Sequence, residues 1–319
     1  MRYASVGGAK VSVIGLGTWQ FGSKEWGYGD EYAEKTAVEI TQRALEVGIN
    51  LIDTAEMYAF GRSERIVGRA IQGRRDEAFL ASKVFPVLPL APIVEQRGRK
   101  SAERLGVERI DLYQLHWPNP VVPVGQQVKG LGALQDAGVV THVGVSNYSS
   151  SGWANAERQL GGPVLSNQVQ YSLLCREPEN RIIPYAEQNE RLVIAYSPLA
   201  QGVLAAKHDA AHNPGGVRAG RFTADNLTRA EPTVSALRDI AKNHDATPAQ
   251  IALAWTIRHP NVVAIPGASR VEQVEANAAA ADIDLTADDI ARLDEASSTY
   301  ETPPMIRGFI DTARSYLPF

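Results

Sequence analysis

Four side chains in the first half of the chain, Asp53, Tyr58, Lys83 and His116, could together move a proton. Asp53 and Tyr58 lie in "NLIDTAEMYAFGRSE" (50–64), where an apolar run ends in a carboxylate and reaches a phenol before turning helical. Lys83 closes "AFLASK" (78–83) and His116 closes "RIDLYQLH" (109–116). Singly, each has a structural explanation. Asp53 reads as a loop cap, Tyr58 as an edge aromatic and His116 as a satisfied core histidine. Lys83 fits less easily, because a lysine at the end of a hydrophobic strand needs a partner once buried. Together they define a chemistry. A free phenol, with a pKa near 10, is a poor acid at neutral pH. An adjacent ammonium favours phenolate, which predicts a lowered value for Tyr58. Asp53 is the carboxylate placed to pair with Lys83. A neutral His116 can hydrogen-bond a carbonyl oxygen as it gains negative charge. General acid help of this kind is worth about 10²- to 10⁴-fold. The set suits carbonyl reduction, but none of the four supplies a hydride, so a cofactor is required.

These residues need a scaffold that converges strand ends. Short β-rich runs alternate with helical patterns along the whole chain, the signature of βαβ units and a parallel sheet. Eight strands are predicted: 12–18, 50–55, 78–83, 109–116, 141–146, 165–171, 191–197 and 262–268. Asp53, Lys83 and His116 end the second, third and fourth, and in a barrel neighbouring strand ends meet at the mouth that carries the site. Ser63 is expected to cap "ERIVGRAI", Thr247-Pro248 to start "AQIALAWTIRH" and Gly48 to end "EKTAVEITQRALEV". Gly98 weakens the helix "APIVEQRGRKSAERLG" by about 1 kcal/mol. Arg97, Arg99, Lys100 and Arg104 read as its solvated face.

The expected architecture is an α/β fold, a single (β/α)8 barrel domain over residues 1–319, with additions beyond a minimal barrel. "YASVGGAKVSV" reads as a hairpin turning at Gly7-Gly8 and plugging the barrel bottom. Residues 199–231 read as a long functional loop. From about residue 284 a helix capped by Thr286, "TADDIARLDEASS", precedes an irregular Pro-containing tail. With 21% charged residues and a formal charge of −4, nothing draws the chain globally toward nucleic acid. The lone Cys175 excludes an intramolecular disulfide or a cysteine zinc site. No stretch reaches the roughly 18 apolar residues of a membrane span, and the N-terminus lacks a signal-peptide core. A cytoplasmic protein is expected. No G-x-G-x-x-G follows a strand, and "GLG" at 15–17 is too short, which argues against a Rossmann domain.

In this order, "GLGTW" (15–19), "NLIDTAEMYAFGRSE", "ASKV" (81–84), "IDLYQLHWP" (110–118), "HVGVSN" (142–147), "NQVQYSLL" (167–174), "AYSPLAQGVL" (195–204) and "IPGASRVEQVEAN" (265–277) resemble the aldo-keto reductase superfamily over nearly the whole chain. The resemblance implies a (β/α)8 barrel that binds NADPH in an extended form and reduces aldehydes or ketones without a metal. It maps the family's catalytic tetrad onto Asp53, Tyr58, Lys83 and His116. By the same mapping Ser146, Asn147 and Gln168 hold the nicotinamide carboxamide, Tyr196 stacks on its ring, and Gly17, Thr18 and Trp19 join the cofactor contacts with Asp53. Ser197, Pro198, Leu199, Gln201 and Gly202 resemble the pyrophosphate contacts, and Gly267 permits a close backbone approach. Ser269 and Arg270 are candidates for a 2′-phosphate, with Gln273 and Asn277 on the adenine side. A common family form carries a basic residue where Ser269 aligns, so NADH stays open beside NADPH. Trp19, Met57, Phe85 and Trp117, around Tyr58 and His116, form an expected apolar substrate wall for a small carbonyl compound. Two rivals remain: a cofactor-binding regulatory subunit like the barrel-shaped potassium-channel β subunits, and a phosphate-handling isomerase barrel, which predicts turnover without nicotinamide.

Overall fold

The computed structural model describes residues 1–22, 31–206 and 223–300. The chain opens with a hairpin of β1 (Tyr3–Val6) and β2 (Ala9–Ser12). Gly7 and Gly8 adopt φ of 56° and 82°, the pair of positive values that a two-residue hairpin turn requires. Ala4, Ala9 and Val11 of the hairpin pack with Leu51, Phe79, Leu165 and Leu192, residues at or beside strand starts. The hairpin therefore plugs the N-terminal end of the barrel, as its sequence predicts.

Eight parallel strands follow in chain order: β3 (Leu16–Gly17), β4 (Leu51–Asp53), β5 (Phe79–Val84), β6 (Ile110–Leu115), β7 (Val140–Ser146), β8 (Ser166–Gln170), β9 (Leu192–Tyr196) and β10 (Val262–Ala264). Parallel bridges from Ile14 to Ala264 and from Gly17 to Gly267 join first to last, with Gly15 N donating to Ala264 O at 2.7 Å and Ala264 N to Val13 O at 2.9 Å. The sheet thus closes. Every residue of β5 is buried, as expected where helices cover one face and the barrel interior the other.

The helices are α1 (Glu31–Glu46), α2 (Arg62–Ala70), α3 (Ala91–Leu105), α4 (Val124–Asp136), α5 (Ser150–Leu160), α6 (Pro178–Gln188), α7 (Ala224–Asn243), α8 (Pro248–Thr256), α9 (Val271–Ala279) and α10 (Ala287–Ser298). Thr247 and Thr286 form reciprocal capping boxes with Gln250 and Asp289, and Gly48, at φ 85°, turns the chain out of α1. Among the described residues no helix is long and apolar enough to cross a membrane.

Several expectations change. Strands predicted at 12–18 and 262–268 shrink to Leu16–Gly17 and Val262–Ala264; Ser12 ends β2, and the seam is held by the single bridges from Ile14 to Ala264 and from Gly17 to Gly267, which fall on either side of Pro266, a residue with no N–H for a ladder. Ser63 caps nothing: Gly61, at φ 79°, precedes α2, while the buried Ser63 hydroxyl lies 2.7 Å from Thr18 Oγ1 and 2.9 Å from Thr54 Oγ1. The predicted loop 199–231 gives way to α7 at Ala224, where Thr223 accepts from Asn226 N. Pro232 inside that helix masks its periodicity in the sequence. The rest of that loop at 207–222, and the Pro-containing tail at 301–319, lie outside the described residues. Gly98 does not interrupt α3. A Cβ there would stand 2.3 Å from Leu134 Cδ1 and 3.1 Å from Tyr113 Cε1, so the glycine admits α4 and β6 to close contact. The basic face of α3 is solvated at Arg99 and Lys100 only, since Arg97 and Arg104 are partly buried in ion pairs with Glu56 and Glu64.

Candidate active site

Parallel pairing puts β4, β5 and β6 side by side and aligns their C-terminal ends. Asp53 is the last residue of β4, Lys83 the penultimate residue of β5, and His116 follows β6, with its N–H donating to Val84 O at 3.0 Å. Lys83, fully buried, sits at the centre. Its Nζ donates to Asp53 Oδ1 at 2.6 Å, to Thr54 O at 2.9 Å and to Tyr58 Oη at 3.1 Å. All three ammonium donors are used. The other carboxylate oxygen, Asp53 Oδ2, accepts from Gln168 Nε2 across the barrel at 2.8 Å. The His116 ring meets Tyr58 edge to face at 6.0 Å between centroids, and Phe85 in the same manner at 6.0 Å. The four predicted residues therefore form one constellation.

Electrostatics correct one expectation. Tyr58 is held well above the ordinary tyrosine value, by burial first and by the Asp53 carboxylate second; it is not lowered by Lys83. Desolvating a phenolate in this site costs more than one ammonium returns while a carboxylate stands 2.6 Å from that same ammonium. The hydroxyl thus stays protonated at neutral pH. Because Tyr58 Oη accepts from Lys83, its own proton is free to point elsewhere. Burial, reinforced by Lys83, depresses His116 well below the usual histidine range, which keeps the imidazole neutral as expected. Burial also raises Asp53 and lowers Lys83, against the attraction between them.

A second group lies across the mouth. Ser146 ends β7 and donates its hydroxyl to Gln168 O at 2.8 Å. Asn147 follows in the left-handed region at φ 63°. Its Nδ2 donates to His116 O at 3.1 Å and to Ser146 Oγ at 3.0 Å, and its Oδ1 accepts from Tyr196 Oη at 3.0 Å. Gln168, expected on a nicotinamide carboxamide, spends its amide N–H on Asp53. The Thr18 hydroxyl turns inward, donating to Asp53 O at 2.9 Å.

Past β9 the chain carries positive φ at Ser197, Ala200, Gln201 and Gly202, Pro198 is buried and Leu199 half-buried. The Gln201 Oε1 atom is buried without a hydrogen-bond partner. Gly17 and Gly267 face each other across the barrel seam, and a Cβ on Gly17 would stand 2.7 Å from Ile265 O. The approach beside Gly267 is taken by Gln20, whose Nε2 donates to Ala268 O at 2.7 Å. Ser269 and Arg270 lie exposed before α9. Gln273 Oε1 accepts from Ser269 N at 2.7 Å and from Ser269 Oγ at 3.1 Å, and Asn277 is buried one turn on. The turned backbone at Ser197, Ala200, Gln201 and Gly202 and the exposed Arg270 are the groups here suited to an anion, whereas Gln201 Oε1, an acceptor, offers a phosphate nothing.

Trp19, Met57, Phe85 and Trp117 are each half-buried, and of these Phe85 packs on the His116 ring. Phe60, Val87, Leu88, Leu90 and Val121, which sequence reasoning missed, are exposed on the loops after β4, β5 and β6. Also missed was Ser63, whose contacts with Thr18 and Thr54 brace the carbonyl that binds Lys83. Its position in "GRSE" signals a helix start, and only the closed barrel brings Thr18 beside it. A cleft of about 1160 Å³ opens at the opposite end of the barrel, between the C-terminal ends of α2 and α3. Its Arg75, Arg104 and Arg69 pair with Asp111, Glu64 and Glu34.

A closed parallel barrel with its buried polar cluster at the strand C-termini has the layout of barrel enzymes, whose sites sit at that end. A sequence profile described as the aldo/keto reductase family matches residues 13–298. The chain belongs to that family and is an oxidoreductase. It is 50% identical over 317 residues to an uncharacterised oxidoreductase of Mycobacterium tuberculosis, covering 98% of each chain. It is 34% identical over 291 residues to a methylglyoxal reductase of Escherichia coli, covering 91% of this chain and 92% of the relative. An aldo-keto reductase from Klebsiella pneumoniae, solved in complex with NADPH, superposes with a TM-score of 0.77 at 33% identity, covering 92% of this chain and 94% of that one.

Proposed function

We propose that this protein reduces an aldehyde or ketone to an alcohol with NADPH, Tyr58 acting as the general acid. The observation that carries this reading is the 3.1 Å contact from Lys83 Nζ to Tyr58 Oη, made by an ammonium whose other donors are fixed on Asp53 and Thr54. A bound nicotinamide supplies the hydride. Tyr58 gives its proton to the carbonyl oxygen as that oxygen becomes an alkoxide, and Lys83 stabilises the phenolate left behind. Neutral His116 donates a hydrogen bond to the same oxygen and orients the carbonyl. Asp53 holds Lys83 in place, and Gln168 holds Asp53. Asn147, its Nδ2 hydrogens fixed on His116 O and Ser146 Oγ, keeps an Oδ1 lone pair beside Tyr196 to accept from the nicotinamide carboxamide N–H.

The relative named as a methylglyoxal reductase and the neighbour solved with NADPH support both halves of the reading. The apolar wall, extended outward by Phe60, Val87 and Leu88, favours carbonyls with an apolar body. No feature of the intact tetrad favours a regulatory subunit without turnover. The test is NADPH oxidation at neutral pH with aromatic aldehydes, α-dicarbonyls and sugars, with NADH in parallel. Carbonyl-dependent oxidation of NADPH is expected, strongest with aromatic aldehydes or α-dicarbonyls; its absence across the panel overturns the proposal.

A further inference from the structure

The loop that carries Tyr58 is strained. Ala59 and Phe60, immediately after it, adopt φ of 47° and 53°, a left-handed conformation that costs a non-glycine residue about 1–2 kcal/mol. Such geometry persists only where the surroundings over-determine it. On the far side of the strained pair, Gly61 and the buried Ser63 enter α2. On the near side stands Glu56. Its carboxylate accepts from Phe85 N at 2.6 Å and from Arg97 Nε at 3.0 Å, with a further contact from Arg97 NH2. Arg97, on α3, also donates through NH1 to Phe85 O at 2.8 Å and Val87 O at 3.1 Å. Both backbone polar groups of Phe85 are engaged by this one ion pair, the carbonyl accepting from Val87 N at 2.8 Å as well. Glu56 N in turn donates to Lys83 O at 3.3 Å.

We infer that Glu56 and Arg97 are positioning residues that lock the Tyr58 loop to the Phe85 loop, setting the acid and the substrate wall relative to Lys83 and His116. This rests on the proposed role of Tyr58. The pair is a fork, two guanidinium N–H groups on one carboxylate, and a fork fixes orientation as well as distance. The Glu56 side chain is 9% exposed and that of Arg97 22%, so the pair sits largely out of water, where its loss leaves polar groups unsatisfied. Phe85 meets the His116 ring edge-on, and His116 meets Tyr58. A shift at Phe85 therefore reaches the acid through a single ring.

The experiment compares wild type with Arg97→Met, Arg97→Lys, Glu56→Gln and the double variant Glu56→Gln/Arg97→Met. It measures kcat and KM for 4-nitrobenzaldehyde, and the Kd for NADPH by fluorescence. Arg97→Met is expected to lose about ten- to a hundredfold in kcat/KM, the scale of displacements near an ångström, with the NADPH Kd within about twofold of wild type. Lysine cannot reproduce the fork, so Arg97→Lys falls between. Glu56→Gln keeps an acceptor for Phe85 N and loses least. The double variant is expected to be no worse than Arg97→Met alone, because the residues act as one unit. Should Arg97→Met not fold, Arg97→Lys and Glu56→Gln carry the same comparison. Unchanged kcat/KM in the folded variants, a parallel loss of NADPH affinity, or multiplying losses in the double variant would overturn the inference. Failure of wild type itself to reduce any carbonyl would strike the functional reading instead.

Discussion

Replacing Lys83 by methionine keeps much of the side-chain length but takes an ammonium from three acceptors. Asp53, 1% exposed, is left with Gln168 Nε2 at 2.8 Å as its side-chain partner. Removing one member of a buried ion pair costs about 3–5 kcal/mol. At roughly 2 °C per kcal/mol for a chain of this size, the melting temperature should fall by about 6–10 °C. The pH dependence has a definite sign. Burial already raises Asp53 with Lys83 present, and without the cation it rises further. The folded variant then holds a proton that the unfolded chain, with a carboxylate pKa near 3.9, releases. Its stability should fall as pH rises from about 4 to the folded value, by about 1.4 kcal/mol per pH unit. The double variant Asp53→Asn/Lys83→Met removes the carboxylate and should regain about 2 kcal/mol at neutral pH and lose that slope. Urea denaturation across a pH series measures the stabilities, and NADPH oxidation should be lost in both. A Lys83→Met variant within about 1 kcal/mol of wild type, below the range for a broken buried pair, or a double variant no more stable than the single, would refute the reasoning.

His116 is depressed well below the histidine range, so the reduction rate should show no loss centred near pH 6.5. An NMR titration of its ring nitrogens should find it neutral there, and a protonation step near that pH would contradict the assignment. By the same shift, protonation favours the unfolded chain, so stability falls as pH drops below about 6.5; His116→Gln should lose less over that range. Gly98→Ala should destabilise by about 1 kcal/mol in a denaturant titration, because crowding Leu134 and Tyr113 outweighs the gain in helix propensity. Arg270→Ala should raise the KM for NADPH by about tenfold, the scale of one charge-assisted contact, and leave that for NADH unchanged. Equal effects on both cofactors would remove Arg270 from the 2′-phosphate.

The barrel and the tetrad were legible because each rests on local pattern. Asp53, Lys83 and His116 each mark the end of an apolar run, and sequential parallel strands make those ends neighbours. Thr247, Thr286 and Gly48 carry their signals within a few residues. What escaped depends on non-local facts. Ser63 looks like a helix cap until closure of the barrel brings Thr18 to its hydroxyl. Arg97 looks solvated until the loop after β5 folds back beneath it. The direction of the Tyr58 shift depends on how far the phenol is desolvated, which a lysine on the neighbouring strand cannot reveal. Pro232 concealed α7 because a proline within a helix reads as a boundary.

The most direct measurement is Tyr58→Phe, which deletes one oxygen and keeps the ring that packs at 6.0 Å against His116. NADPH binding should stay within about threefold of wild type, well under the tenfold that 1.4 kcal/mol represents, while carbonyl reduction falls by about 10²- to 10⁴-fold. A Tyr58→Phe variant that binds NADPH normally and reduces the aldehyde at the wild-type rate would contradict the account.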